Sequence, residues 1–106
     1  MVQLDERIKL IDTALGRIPA DLAIKGANLV NVCTGEVYKT DIAVKGKRIA
    51  LVGDISRLVG ADTKVLNVDG LYAIPGLIDS HMHVESTMLT LSGFAEVVLP
   101  RGVTSV

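Results

Sequence analysis

The order of elements after Ile74 constrains this chain more than any other feature. Leu77 and Ile78 enter an apolar, strand-like run that continues through Asp79-Ser80-His81-Met82-His83-Val84-Glu85. Thr90 to Leu99 then carries a helical pattern: Thr90 suits an N-cap, Phe94, Val97 and Val98 suit an inward face, and Pro100 with Gly102 ends the helix. Val103-Thr104-Ser105-Val106 reads as a second strand. Strand, helix, strand in that order predicts a βαβ unit, because parallel strands need a crossover. Such a unit needs further parallel strands to bury its sheet, so the sequence reads as the front portion of a larger fold.

Upstream the pattern is different. Leu4, Ile8, Ile11 and Leu15 form one apolar stripe of a short amphipathic helix, stopped by Gly16 and Pro19 and expected to pack on its own domain or on a neighbouring subunit. From Asp21 the chain turns to short β segments. Leu22–Ile24 and Leu29–Val32 are separated by a turn-like Gly26-Ala27-Asn28. Gly46-Lys47 suits a type II′ hairpin between Ile42–Val44 and Arg48–Val52. Thr63–Val68 and Leu71–Ile74 flank a second turn pair, Asp69-Gly70. The expected division is therefore 1–20 as the helix, 21–74 as a β-sandwich segment, and 75–106 as the strand–helix unit. The fold class is mixed β and α/β.

Composition excludes several functions. A net charge of -1 with scattered basic residues leaves no electrostatic footprint for nucleic acid. Two tyrosines and one phenylalanine offer no base-stacking platform. No apolar run approaches the roughly 20 residues that span a bilayer. The charged start, Asp5-Glu6-Arg7, lacks a signal-peptide core. One cysteine, Cys33, excludes an internal disulfide and is read as a half-buried strand residue; the expected location is cytoplasmic.

Both histidines of the chain lie two apart in the run after Pro75-Gly76. On a strand, residues i and i+2 share a face, so His81 and His83 aim at one point. Two imidazoles so placed make a half-site for a divalent metal, and manganese, iron and zinc all accept imidazole with oxygen ligands. Asp79 and Glu85 share that face as a third ligand, an orienting group or a substrate contact. The competing reading is a hydrogen-bonded histidine pair near a strand end. His83-Val84-Glu85 also matches half of a zinc nucleobase deaminase motif, but the P-C-x-x-C half is absent.

The run Pro75-Gly76-Leu77-Ile78-Asp79-Ser80-His81-Met82-His83 resembles the amidohydrolase superfamily, whose His-x-His closes the first strand of a TIM barrel and binds metal. The continuation Val84-Glu85-Ser86-Thr87-Met88-Leu89-Thr90 narrows the resemblance to the adenine deaminase family, as do Phe94-Ala95, Leu99-Pro100 and Gly102-Val103-Thr104. Upstream, Leu15 to Leu22, Asn31 to Glu36 and Asp41 to Val44 are similar to that family's N-terminal region, so the resemblance runs from about Ile11 to Val106. Leu91 and Gly93 depart from the pattern at the helix start.

The resemblance implies a composite β-sandwich built from both ends of a longer chain, followed here by the first strand–helix unit of a truncated TIM barrel. It implies metal ligation by His81 and His83, with Glu85 contacting substrate or orienting the site. It implies hydrolysis of adenine to hypoxanthine and ammonia by a metal-bound hydroxide in a homo-oligomer, using further ligands and an aspartate that this chain lacks. The isolated chain is expected to be inactive. The alternatives are a dihydroorotase-like or isoaspartyl dipeptidase-like hydrolase, which share the two histidines, or a non-catalytic β-rich assembly module.

Overall fold

β1 (Leu22–Asn31) organises the first part of the chain by pairing along both of its edges. A computed structural model describes residues 4–106, so the first three residues of the expected 1–20 segment lie outside it. Antiparallel to β1 runs β2 (Glu36–Lys45), which in turn pairs with β3 (Arg48–Gly53). On the other edge β4 (Lys64–Asn67) and β5 (Tyr72–Ala73) both run parallel to β1. The result is one mixed five-stranded sheet. The chain divides into two units between Ile74 and Pro75.

Gly26-Ala27-Asn28 is not the expected turn. The ladder passes from Ile24↔Ile42 to Ala27↔Thr40, so Lys25 and Gly26 together oppose Asp41 in a β-bulge. Gly26 takes φ +76, and its N–H donates to Asp41 Oδ1 at 2.8 Å. Glycine in this left-handed conformation serves a bulge as readily as a turn, which is why the local sequence misleads. The extra residue also inverts the strand's phase. Ala23 opposes Ala43 whereas Ala27 opposes Thr40, three positions away on β2, so the two buried alanines face opposite sides of the sheet.

On the far edge the chain follows the same outline. After β4, the Val68 N–H donates to Lys25 O, Leu71 N–H to Val68 O, and Asn28 N–H to Leu71 O, each at 2.9 Å. Asp69-Gly70 does form a turn, with Gly70 at φ +82, yet it reverses nothing: β4 and β5 continue one direction around the bulge. Lys39 of β2 forms an ion pair with Asp69.

The core lies where Ala23 and Ala43 face each other, with Ala20, Ile55 and Leu58 packed on them and Leu51 and Val59 at the margin. Paired alanines leave room for the segment after β3, whose 3₁₀ turn (Ser56–Leu58) carries Leu58 inward. Ile55 and Leu58 are fully buried, and each burial contributes about 1.5–3 kcal/mol. The buried Thr63 hydroxyl closes this layer, donating to Ala20 O at 2.7 Å and accepting from Gly60 N–H at 2.8 Å.

The turn between β2 and β3 is the expected Gly46-Lys47 pair, with positive φ at Gly46. Asp21 anchors it, accepting from Lys45 Nζ at 2.7 Å and from Gly46 N–H at 2.8 Å. Those two donors, Lys45 first, hold the Asp21 carboxyl below its ordinary range. Cys33 departs from its expected strand position: β1 stops at Asn31, whose Oδ1 accepts the Cys33 N–H at 3.0 Å, and Cys33 lies exposed in the turn to β2.

α1 (Leu4–Ala14) forms where the apolar stripe predicts it. It ends in a Schellman motif: Arg17 N–H donates to Asp12 O at 2.8 Å, Gly16 N–H to Thr13 O at 2.9 Å, and Gly16 sits at φ +73. It packs on its own domain, one of the two expected alternatives, but not through its apolar stripe. Thr13 is the residue it buries, while the stripe of Leu4, Ile8, Ile11 and Leu15 faces outward. Among the described residues no helix is long and apolar enough to cross a membrane.

Two outcomes follow from the sheet. Gly26→Ala places a Cβ 3.3 Å from Asp69 Oδ1 at a left-handed position, whereas Gly46→Ala meets nothing within 4 Å. Both substitutions lose about 1–2 kcal/mol from backbone strain, and Gly26→Ala loses measurably more in urea unfolding followed by the fluorescence of Tyr38 and Tyr72, both sheet residues. The depressed Asp21 pKa contributes stability above the ordinary aspartate range, and this is lost as pH falls through the folded value, below about pH 4. Asp21→Asn is therefore expected to flatten the acid limb of a tyrosine-monitored stability profile and leave its neutral region with the same slope.

Candidate functional site

The second unit is built on a parallel pair of short strands. β6 (Leu77–Ile78) pairs with β7 (Val103–Ser105) through Leu77↔Val103 and Ile78↔Ser105, so Thr104 is an extra residue on β7. Leu77 N–H donates to Gly102 O at 2.8 Å and Asp79 N–H to Ser105 O at 2.9 Å. The crossover is α2 (Leu91–Val98), capped by Thr90 Oγ1 accepting from Gly93 N–H at 3.2 Å. Phe94 is buried and Val98 half-buried, but Val97 is exposed rather than inward. A 3₁₀ turn (Leu99–Arg101) and Gly102 at φ +90 then lead into β7.

Gly76, just before β6, touches the Thr104 side chain so closely that an added Cβ would fall 2.8 Å from Thr104 Cβ. No side chain fits there. The Pro75-Gly76 dipeptide was visible in the sequence; its meaning as a close approach of backbone to β7 was not.

The expected strand through Asp79–Glu85 is not formed. Strand pairing ends at Ile78, and the residues from His81 to His83 are exposed loop. Asp79 causes the departure: its N–H makes the last ladder bond while its Oδ1 accepts the His81 N–H at 3.1 Å, turning the chain off the strand axis. This commits Asp79 to the backbone and separates it from the imidazoles it was expected to join.

His81 and His83 are nevertheless brought together. Their Nε2 atoms lie 3.1 Å apart, with ring centroids 5.1 Å apart and planes tilted by 56°. A 3₁₀ turn (Val84–Thr87) follows at once and holds Glu85, whose Oε1 lies 2.9 Å from His83 Nδ1. The Thr87 hydroxyl closes the turn by donating to Val84 O at 2.6 Å. Met88 then takes φ +61, the one non-glycine residue at positive φ among those described.

With both rings neutral, one proton arrangement satisfies both contacts. An ionised Glu85 accepts from His83 Nδ1–H, which leaves His83 Nε2 with a free lone pair. His81 Nε2–H then donates to that lone pair. A carboxylate fixing one ring nitrogen while the other points outward is also the arrangement of metal-ligating histidines. Two nitrogens in one tetrahedral shell with bonds of 2.0–2.1 Å would be about 3.3 Å apart, close to the separation here. The pair therefore fits half of a shell for a divalent cation, with His81 changing tautomer to join it. Among the described residues no group of three or more His, Cys, Asp or Glu side chains gathers to complete one.

The sequence relatives of the chain place it among hydrolases. By sequence it belongs to the adenine deaminase family, and its match is consistent with that family's N-terminal portion. It is 50% identical over 98 residues to an adenine deaminase of Moorella thermoacetica, covering 92% of this chain and 16% of that protein. It is 49% identical over 105 residues to one from Paracoccus denitrificans, covering 97% and 18%, and 52% identical over 98 residues to adenine deaminase 1 of a Jannaschia species, covering 91% and 16%. The chain thus spans about a sixth of the length of the curated relatives it matches. No protein-family model matches it.

The assigned tautomers are directly testable. Two-bond ¹H–¹⁵N spectra near pH 8 are expected to show His83 protonated at Nδ1 and His81 at Nε2. Glu85→Ala is expected to return His83 to a mixed tautomer population. An unchanged His83 pattern in that variant would remove Glu85 as the orienting group.

Proposed function

We propose that this chain is the front portion of a metal-dependent adenine deaminase and supplies two of its metal ligands, His81 and His83. The observation that carries the reading is the convergence of the two Nε2 atoms just beyond a parallel strand, with Glu85 bonded to the far side of one ring. In this reading β6, α2 and β7 begin a TIM barrel, and the loop after β6 lies at the C-terminal strand end, where such barrels carry their sites. The sheet of the first unit is the N-terminal contribution to a composite β-sandwich.

The substrate in this reading is adenine and the products are hypoxanthine and ammonia. A divalent cation, manganese, iron or zinc, would when bound supply acidified water as the nucleophile. The chain's own part is positional. His81 and His83 would hold the cation, and Glu85 would orient the His83 ring and its tautomer or contact substrate. Asp79 fixes the loop backbone. The remaining ligands and the proton-handling aspartate belong to the relatives' greater length, so the 106-residue chain alone is expected to be inactive. The protein is read as a cytoplasmic homo-oligomer.

The test uses a protein in which this chain continues to the length of its relatives. After chelation and reloading with manganese, iron or zinc, it is expected to release ammonia from adenine and to leave dihydroorotate untouched. His81→Ala and His83→Ala are expected to lose bound metal and all measurable turnover. Glu85→Gln is expected to lower metal affinity or activity by about 10–100-fold. Full activity in both histidine variants would overturn the proposal, and turnover of dihydroorotate in place of adenine would assign a different hydrolase.

A further inference from the structure

The parallel pair of β6 and β7 carries one residue more than a regular ladder needs. In such a ladder the bonds are evenly spaced, so N–H groups two residues apart on one strand meet carbonyls two residues apart on the other. Leu77 N–H meets Gly102 O, and the next regular bond would run from Asp79 N–H to Thr104 O. It runs to Ser105 O instead, at 2.9 Å. Ile78 accordingly pairs with Ser105, and Thr104 bulges from the ladder. Bulges belong chiefly to antiparallel pairs and gather beside functional sites, where they re-aim a side chain. One in a short parallel pair calls for a local cause.

Gly76 supplies that cause. It is not among the glycines at positive φ, so its backbone conformation does not demand glycine. Space does. A Cβ at this position would have Oγ1, Cγ2 and Cβ of Thr104 as its three nearest atoms, with Cγ2 at 2.5 Å and Cβ at 2.8 Å. The Thr104 side chain thus occupies the place that any side chain at position 76 would take, one residue before the ladder begins. Sliding β7 back to the regular register would lift Thr104 from that seat.

The effect reaches the histidines through the backbone. The extra residue carries the acceptor for Asp79 one position further along β7, and Asp79 is where the chain leaves the strand, its Oδ1 accepting the His81 N–H at 3.1 Å. The turn that holds both imidazoles therefore starts from a place that the Gly76–Thr104 contact sets. One residue of register is about 3.3 Å along a parallel strand. That is more than a metal shell with bonds of about 2.0–2.1 Å can absorb.

We propose that Thr104 is a positioning residue: seated on Gly76, its side chain holds the β7 bulge and so fixes the place from which His81 and His83 are presented to a cation. The inference rests on the reading of those two histidines as metal ligands. Neither Gly76 nor Thr104 touches the cation; both act through Asp79.

A double-mutant cycle tests the contact. Gly76→Ala drives a methyl group into Thr104, Thr104→Gly empties the seat, and the two together move the filling group from one strand to the other. In this chain, the scalar coupling across the Asp79 N–H to Ser105 C=O hydrogen bond reads the register without any cation. It is expected in the unmodified chain, lost in each single variant and regained in the double variant. In a protein continued to the length of the relatives, manganese affinity measured by chelator competition is expected to fall about tenfold or more in each single variant. It is expected to return to within about threefold in the double variant. A merely structural role would lower the unfolding temperature and leave the manganese affinity of the folded protein unchanged, which would overturn the proposal. So would a coupling that stays on Ser105 in Gly76→Ala, or a double variant no better than the worse single one. Should Gly76→Ala fail to fold, Thr104→Gly, which adds no atom, decides by itself: full manganese affinity there overturns the proposal. An unmodified protein that binds no divalent cation would overturn the metal reading alone, and the coupling would still decide the Gly76–Thr104 contact.

Discussion

Backbone hydrogen bonding leaves β1 almost no freedom, and the first unit depends on that. One edge is taken by antiparallel β2 and the other by parallel β4 and β5, so neither edge offers a free template to another strand. The side chains that face each other across β1 and β2 in the core are alanines, and the volume this leaves is filled by Ile55 and Leu58 from the segment after β3. A strand satisfied on both edges can tolerate a core of few large residues, because its polar groups are paired whether or not the apolar layer is deep.

The second unit rests on a smaller device. Two backbone bonds, from Leu77 to Gly102 just before β7 and from Asp79 to Ser105 within it, fix where β6 stops, and Asp79 spends its amide on the ladder and its carboxylate on the loop. The imidazoles are thus delivered by a turn anchored at both ends. Their exposure is the state of this chain by itself. An exposed pair of histidines has little chemistry of its own, since water screens what a dry, enclosed site would amplify.

Much of this was legible from residues. The Leu4–Leu15 spacing found α1, Gly46-Lys47 found the hairpin, Thr90 found the cap of α2, and the strand–helix–strand order found the parallel pair. The histidines two apart were correctly expected to share a side, although the reason differs: a loop bent by Asp79 brings them together, where strand alternation had been assumed. Other features were hidden for physical reasons. A glycine at positive φ looks the same in a bulge and in a turn, so Gly26 and Asp69-Gly70 could not reveal that β1 and its parallel neighbours run on. Periodicity reports that a helix has an apolar face and is silent on what that face meets, which is why the spacing of the α1 stripe could not choose between its own domain and a neighbouring subunit. Contacts between distant residues, such as Gly76 with Thr104, leave no local trace beyond the glycine itself.

The bulge at Gly26 has a consequence for how β1 can vary in length. Closing it would leave Ile24 opposite Ile42, Lys25 opposite Asp41 and Ala27 opposite Thr40, so every later residue would keep its β2 partner and its face. Removing Ile24, by contrast, would break the spacing that sets Ala23 opposite Ala43 and Ala27 opposite Thr40. Between the two buried alanines, the bulge is therefore the place where the strand can lose a residue and keep its register. The bulge acts as a slack loop in an otherwise rigid ruler, where one residue can be gained or lost while the marks on either side stay aligned.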